Sequence, residues 1–372
     1  MRPVRVATLL SFPLSEPGGV STFVAGLHAA LERELGLQPL LIAPRRFRAG
    51  PGRRVDQLAL AALQVGQLWR ARPDVVHVHE HPALLAAAVL YRALAGRRQI
   101  RLVYTVHVEP TARRRWWKRA VLGWLLGRCA AVTVVSSDSA SKLGLIAQPP
   151  PARVRVIHGA GEVHVRSPSD PAVRALWQRL ALGDGPLLVQ VAPMNLPRKV
   201  AGLGLLVEAV ALVRQRYPGV RLLLVGDGHL RAAVEAAARA AGVAEAVTVS
   251  GYLADVSVPL ALADVYCHIS LQDACPLSLL EAMYAAKPVI AARCGGIPEV
   301  VDEGYTGLLV EPRPAAIAAA IVRLLDEPAL AQRLAQQAAL VARRDFTWRR
   351  VATEFDTVYG VSGPLAPRAA GV

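Results

Sequence analysis

Between Ser270 and Val310 the chain reads SLQDACPLSLLEAMYAAKPVIAARCGGIPEVVDEGYTGLLV, a stretch that admits few folds. Pro276 stands where a first helical residue belongs, Leu277 to Ala286 continue in good helix formers, and Pro288 forbids a further turn. The helix is therefore short and sharply bounded. Val289-Ile290-Ala291-Ala292 follows as an apolar run of the kind buried on both faces of a parallel sheet. Cys294 to Glu299 then makes a tight glycine-rich turn lining the same crevice.

This stretch also carries chemistry. The amides around Leu277, Ser278 and Leu279 open the helix and present the partial positive charge that suits a phosphate. Asp273 precedes them and Glu281 lies one turn inside, so two carboxylates flank an anion-binding helix start. Taken singly, Asp273 also fits a plain turn former and Glu281 a solvated helix acid.

The rest of the chain repeats the strand, turn and helix rhythm. Arg5 to Leu10 predicts a first strand, Ser15 to Gly19 a turn and Ser21 to Leu35 a helix; the pair Gly18-Gly19 lets backbone approach a ligand closely. Pro39 to Pro44 is a second strand, followed by a basic loop and a helix ending near Arg72. The third strand, Asp74 to His81, sets His77, His79 and His81 on one face at period two, a pattern open to a zinc reading as well as to a structural one. Leu102 to His107 is another strand, and His107 falls at its carboxyl end, where ligands gather in open α/β sheets. Ala131 to Ser136 and Arg153 to Ile157 complete the first series, with Ser137-Asp138-Ser139 capping the helix between them. After a turn-rich linker at 163–171, strands at Leu187–Val191, Arg221–Val225 and Val247–Gly251 restart the series, and a helix from 347 to 359 ends it.

Length supports two domains: 372 residues, 53% of them hydrophobic, suffice for two packed cores. Cys129, Cys267, Cys275 and Cys294 form no C-x-x-C pair and suit reduced thiols in a cytoplasmic protein. No run of 18 apolar residues predicts a spanning helix. A net charge of +15 favours an anionic partner, whether nucleic acid, membrane surface or phosphorylated substrate. Arg113, Arg114, Arg115, Trp116, Trp117 and Lys118 bring cations and indoles together, which fits an anionic membrane interface as well as a solvated turn feeding a core helix.

Asp273, seven residues, Glu281 and then AMYAAKPVIAARCGGIPEVV resemble the E-x7-E signature of the retaining glycosyltransferases of family 4 (glycosyl transferases group 1), with Asp in place of the first Glu. The resemblance runs from about Val4 to Tyr359 and implies the GT-B fold: α/β, two facing Rossmann-like doubly wound domains with a cleft between them. It places an acceptor-side domain at 1–164, with the helix 347–359 packing back on it, a nucleotide-sugar-binding domain at 165–346, and a disordered tail at 360–372. In such enzymes the second acid holds the ribose and the first lies against the transferred sugar, which implies those roles for Glu281 and Asp273. Lys199 matches the lysine that neutralises the diphosphate; the usual upstream Arg falls on Pro193, so Arg198 is the candidate second cation. Gly18 and Gly19 match a glycine loop, Gly251 and Tyr252 the place where backbone meets the base, and His107 a histidine near the sugar.

The implied function is retaining, metal-independent transfer of a hexosyl unit from a UDP- or GDP-linked sugar to a glycan or lipid-linked acceptor. Cell-surface polysaccharide or glycolipid assembly is the expected setting, with the protein cytoplasmic or peripheral on the membrane and with neither cofactor nor metal; nucleic acid is not the expected partner. The alternatives are a sugar-nucleotide epimerase or phosphorylase of the same fold, and an inert basic protein that binds membrane or nucleic acid.

Overall fold

The computed structural model describes residues 4–44, 53–108 and 116–361, with backbone only over 53–61. Residues 109–115, which include Arg113 to Arg115, lie outside the described residues, as does 362–372 of the expected tail. The chain forms two compact units, Met1–His158 with Trp348–Val372, and Gly159–Thr347.

The first unit runs β1 (Val6–Leu9), α1 (Gly19–Leu35), β2 (Leu40–Ile42), α2 (Arg53–Ala71), β3 (Val75–His79), α3 (Pro82–Leu94), β4 (Arg101–Val106), α4 (Trp116–Leu126), β5 (Ala131–Val134), α5 (Ser137–Ala147) and β6 (Val154–Val156). Its six strands are all parallel in the order β2-β1-β3-β4-β5-β6, so the strand order reverses beside β1 and β3. Period-two alternation gives the sheet two unlike faces. Ala7, Leu9, Val76, Val78, Leu102, Tyr104, Val132 and Val134 enter an apolar core, while Thr8, His77, His79, Thr105 and Thr133 are buried on the other side. α1 starts at Gly19 rather than Ser21, and Ser136, not Ser137 to Ser139, caps α5 by accepting from the Ser139 amide.

The second unit runs α6 (Pro171–Leu180), β7 (Leu187–Val191), α7 (Pro197–Val213), β8 (Arg221–Val225), α8 (Arg231–Ala240), β9 (Val247–Gly251), α9 (Ser257–Leu262), β10 (Val265–His268), α10 (Leu277–Tyr284), β11 (Val289–Ala292), β12 (Leu308–Val310), α11 (Pro314–Asp326) and α12 (Pro328–Asp345). The order β9-β8-β7-β10-β11-β12, all parallel, is the doubly wound pattern with its switch point between β7 and β10. Both faces of this sheet are apolar: Leu188, Leu222, Leu224, Cys267 and Ile290 enter one core, and Leu187, Val189, Leu223, Tyr266 and Val289 the other. That explains its near-continuous hydrophobic strands.

Two connections depart from expectation. The stretch 163–171, read as a linker, is tied into the second unit: the Arg166 guanidinium donates to Asp170 and Asp255 at 2.8 Å each and to Ser257 Oγ at 2.7 Å, while Asp170 caps α6. The last helix, α13 (Trp348–Tyr359), belongs to the first unit. It packs against α1 where Gly26 leaves room for the Trp348 ring, since a Cβ there would stand 2.2 Å from it.

Candidate active site

At the switch point of the second unit, the connections after β7 and β10 converge. α7 comes close to the end of β10 because Gly202 has no side chain; a Cβ would lie 2.5 Å from the Ile269 carbonyl. The Leu271 amide donates to the Arg198 carbonyl at 3.4 Å, tying the two connections together. Arg198 and Lys199 thus lie in the first helical turn of α7 rather than in the loop that precedes it, and Lys199 Nζ donates to Asp273 Oδ2 at 2.8 Å. The Arg198 side chain is exposed.

Asp273 is gripped from two more directions. Gly295, with φ of 53°, packs so tightly that a Cβ would stand 1.9 Å from the Asp273 carbonyl, and the Gly296 amide donates to that same oxygen at 3.1 Å. On the side chain, His268 Nε2 lies 3.0 Å from Oδ2, the atom that Lys199 also reaches. Burial by itself would push the Asp273 carboxyl up; the Lys199 charge and the His268 hydrogen bond outweigh it and hold the group well below the usual carboxylate range. Asp273 is therefore an anion at neutral pH.

The start of α10 is sharper than its sequence suggests. Pro276 is the cap rather than the first helical residue, and its carbonyl accepts from the amides of Leu279 at 3.1 Å and Leu280 at 3.3 Å. The Leu279 amide, expected to face an anion, is thereby engaged, which leaves those of Leu277 and Ser278 for that role. The Ser278 hydroxyl donates to the Val191 carbonyl at 3.3 Å. Glu281, one turn on, is partly buried, and burial pushes its carboxyl up to about 7. Gly251, at φ of 76°, accepts from the Gly226 amide at 2.9 Å, and Tyr252 beside it is exposed.

In the first unit, the polar face of the sheet ends in a cluster of rings. His79 Nδ1 and His107 Nε2 lie 2.8 Å apart, one donating and the other accepting, with the rings stacked at 17°. Phe23 meets the His107 ring edge-on at 4.7 Å. Glu80, itself at φ of 57°, accepts through one carboxylate oxygen from the backbone amides of His107 and Val108. His77 was one of three histidines open to a zinc reading; Tyr359 Oη lies 2.8 Å from its Nδ1 and Thr105 Oγ1 2.6 Å from its Nε2, so both nitrogens are engaged by protein hydroxyls. Burial lowers His107 to about 3 and His28, bonded to Thr8 at 2.8 Å, to about 4, and it lowers His77 and His79 as well. The cluster is neutral at physiological pH. At the turn into α1, a Cβ on Gly18 or Gly19 would meet no described atom within 4 Å.

Trp116, Trp117 and Lys118 open α4 and are all exposed, Trp116 at 79%. Lys118 Nζ stands 5.4 Å from the Trp117 ring and Arg128 stacks 3.3 Å over Trp124. Two site residues escaped the sequence reading, His268 and Glu80. His268 had a signal: it interrupts an otherwise apolar strand just before the acid.

The family profile described as Glycosyltransferase Family 4 matches residues 17–160, and that of Glycosyl transferases group 1 matches 185–327. Glycogen synthase of Mycobacterium tuberculosis is 30% identical over 319 residues, which cover 81% of this chain and 72% of that protein. The GDP-mannose-dependent alpha-(1-6)-phosphatidylinositol monomannoside mannosyltransferase of the same organism is 36% identical over 167 residues, covering 42% and 43%. The structure of Anabaena HepE in complex with UDP and glucose superimposes with a TM-score of 0.77 at 20% identity, covering 95% of this chain and 98% of that one.

Proposed function

Since the chain belongs to the group 1 glycosyltransferases of family 4 and has their GT-B fold, we propose that it transfers a hexosyl unit from a nucleotide diphosphate sugar, with retention of configuration and without metal, to a glycan or lipid-linked acceptor. The observation that carries this reading is the convergence of Lys199, Asp273, Glu281 and the α10 start on one switch point. The cation at Lys199, joined by Arg198 and the Leu277 and Ser278 amides, stabilises the departing diphosphate. Preorganised donors of this kind are worth roughly 2.7 to 4 kcal/mol of barrier each. Glu281 anchors the ribose, where a carboxyl that titrates near neutrality both accepts and donates hydrogen bonds. Asp273 lies toward the sugar, and Gly251 and Tyr252 toward the base. In the first unit we assign His107 to a sugar hydroxyl and the Gly18-Gly19 backbone to the donor.

Relatives named for GDP-mannose and neighbours bound to UDP keep both bases in play. Thermal unfolding of wild type and Glu281→Ala with UDP, GDP, ADP and TDP tests the reading. A nucleotide at about 100 times its dissociation constant adds roughly 2.7 kcal/mol to the native state. Stabilisation of wild type by one nucleotide, lost in the variant, is the expected result; indifference to all four overturns it.

No helix among the described residues is long and apolar enough to cross a membrane. A second, independent reading concerns α4, whose exposed Trp116, Trp117 and Trp124 beside Lys118 and Arg128 support contact with an anionic lipid surface. Co-sedimentation with phosphatidylglycerol vesicles, reduced in Trp116→Ser/Trp117→Ser, is expected. Equal binding of variant and wild type would sink it.

A further inference from the structure

Asp273 offers one oxygen, Oδ2, to two partners, Lys199 Nζ at 2.8 Å and His268 Nε2 at 3.0 Å. The two partners differ in freedom. Lys199 is a four-carbon stem ending in a point charge, on the first turn of α7, with 19% of its side chain exposed. His268 is a ring on β10, 2% exposed, seated in the sheet beneath the acid. Its other nitrogen, Nδ1, lies 3.5 Å from the Tyr266 hydroxyl, which is fully buried and neighbours Ser278 at the α10 start. The imidazole thus has a neighbour at each nitrogen, close at Nε2 and longer at Nδ1, while the ammonium sits on a flexible stem.

We propose that His268 is a positioning residue that keeps the Asp273 carboxylate aimed at the sugar when the donor diphosphate draws Lys199 away from it. The inference rests on the assignment of Lys199 to the diphosphate and of Asp273 to the sugar. A lysine that serves two anions in turn needs a second tether for the first of them; otherwise a buried aspartate is left uncompensated when the site fills. His268 supplies that tether without competing for phosphate, because it lies within the sheet. Both contacts use Oδ2, so neither engages Oδ1. Tyr266 and Ser278 extend the support to the helix whose first amides face the leaving group, which links the aim of Asp273 to the start of α10.

The test compares His268→Leu with His268→Gln. The amide of Gln can reach the place of Nε2 and donate to Asp273, whereas Leu is apolar and cannot. At saturating donor, kcat of the Leu variant is expected to fall by about 10- to 100-fold, since small misplacements of a reacting geometry carry penalties of that size. The nucleotide dissociation constant should stay within about twofold, and Gln should recover most of kcat. Should the Leu variant not fold, as judged by its thermal transition, His268→Asn replaces it: its amide mimics Nδ1 and falls short of Asp273, so Asn is expected to lose what Gln keeps. Wild-type turnover in both Gln and Leu variants, or equal loss in Gln and Asn with normal folding, overturns the inference while leaving the donor assignment intact. Failure of the wild-type protein to bind any nucleotide diphosphate overturns the assignment on which it rests.

Discussion

Both units set side chains at the carboxyl ends of parallel strands, yet they bury polarity in opposite ways. The first pairs neutral rings with hydroxyls or with one another: His77 with Tyr359 and Thr105, His28 with Thr8, His79 with His107. Here burial holds these four imidazoles in their uncharged form. The second keeps ions: Lys199 on Asp273, with its anionic form held against burial. A neutral lattice of donors and acceptors suits uncharged hydroxyl groups, whereas a salt-bridged pair beside helix amides suits a leaving group that gathers negative charge. On the proposed assignments the contrast divides labour by charge, and each half of it can be broken separately.

The largest effect is expected from the ionic side. Lys199→Met removes the cation that compensates Asp273 and that, on the proposed assignment, meets the diphosphate, so kcat/KM should fall by about 100- to 1,000-fold. Steady-state kinetics with and without added Mg²⁺ check this. Recovery of activity by Mg²⁺ in the variant would show that the site requires a positive charge rather than lysine itself, whereas wild-type turnover by the variant without metal would break the division by charge.

Next come two opposite pH limbs. Glu281 titrates at about 7 in the native state and near 4.5 when unfolded, so the native state binds the extra proton between these values and stability falls as pH rises through them. Glu281→Gln should therefore stabilise the unliganded second unit by up to about 3 kcal/mol near pH 8 and by nothing near pH 4.5. His107, lowered to about 3, gives the reverse: the unfolded state takes the proton first, and stability is lost as pH drops below 6.5. His107→Gln should remove up to about 2 kcal/mol of the loss between pH 6.5 and 5. Hydrogen exchange read separately in 4–108 and 185–327 assigns each limb to its unit. A common limb in both regions would erase the comparison.

The second unit's chemistry was the more legible of the two, and the reason is locality. Asp273, the start of α10 and Glu281 lie within nine residues, and Pro276 and Pro288 bracket the helix. Even there Pro276 proved a cap, whose carbonyl occupies the Leu279 amide, because sequence specifies where a helix breaks better than which amide remains unpaired. Lys199 enters as a candidate by resemblance alone; the gap of 74 residues to Asp273 hides their salt bridge. In the first unit, periodicity placed the histidines on one face of β3, yet whether they bind metal or hydroxyls depended on Thr105 and on Tyr359, 282 residues from His77. Arg166 likewise turned an expected linker into part of the second unit through partners 89 and 91 residues away. Strand and helix order survives in local pattern, whereas the partner of a buried polar group is a long-range fact.

The smallest effect on stability separates two glycine turns. Gly295 is required by the fold itself, because φ of 53° and the Asp273 carbonyl exclude a side chain. Gly18 and Gly19 have no such need, since no described atom lies within 4 Å of either added Cβ and Gly18, at φ of 164°, is in extended backbone open to any residue. Gly18→Ala and Gly19→Ala should therefore shift unfolding free energy by less than about 0.5 kcal/mol, and alanine within the helix start can even favour it. If these glycines admit the donor, the same substitutions raise its KM several-fold while stability stays put. Unchanged KM in both variants would reduce the pair to an ordinary turn and leave donor recognition to the ionic unit alone, the sharper form of the division between the two.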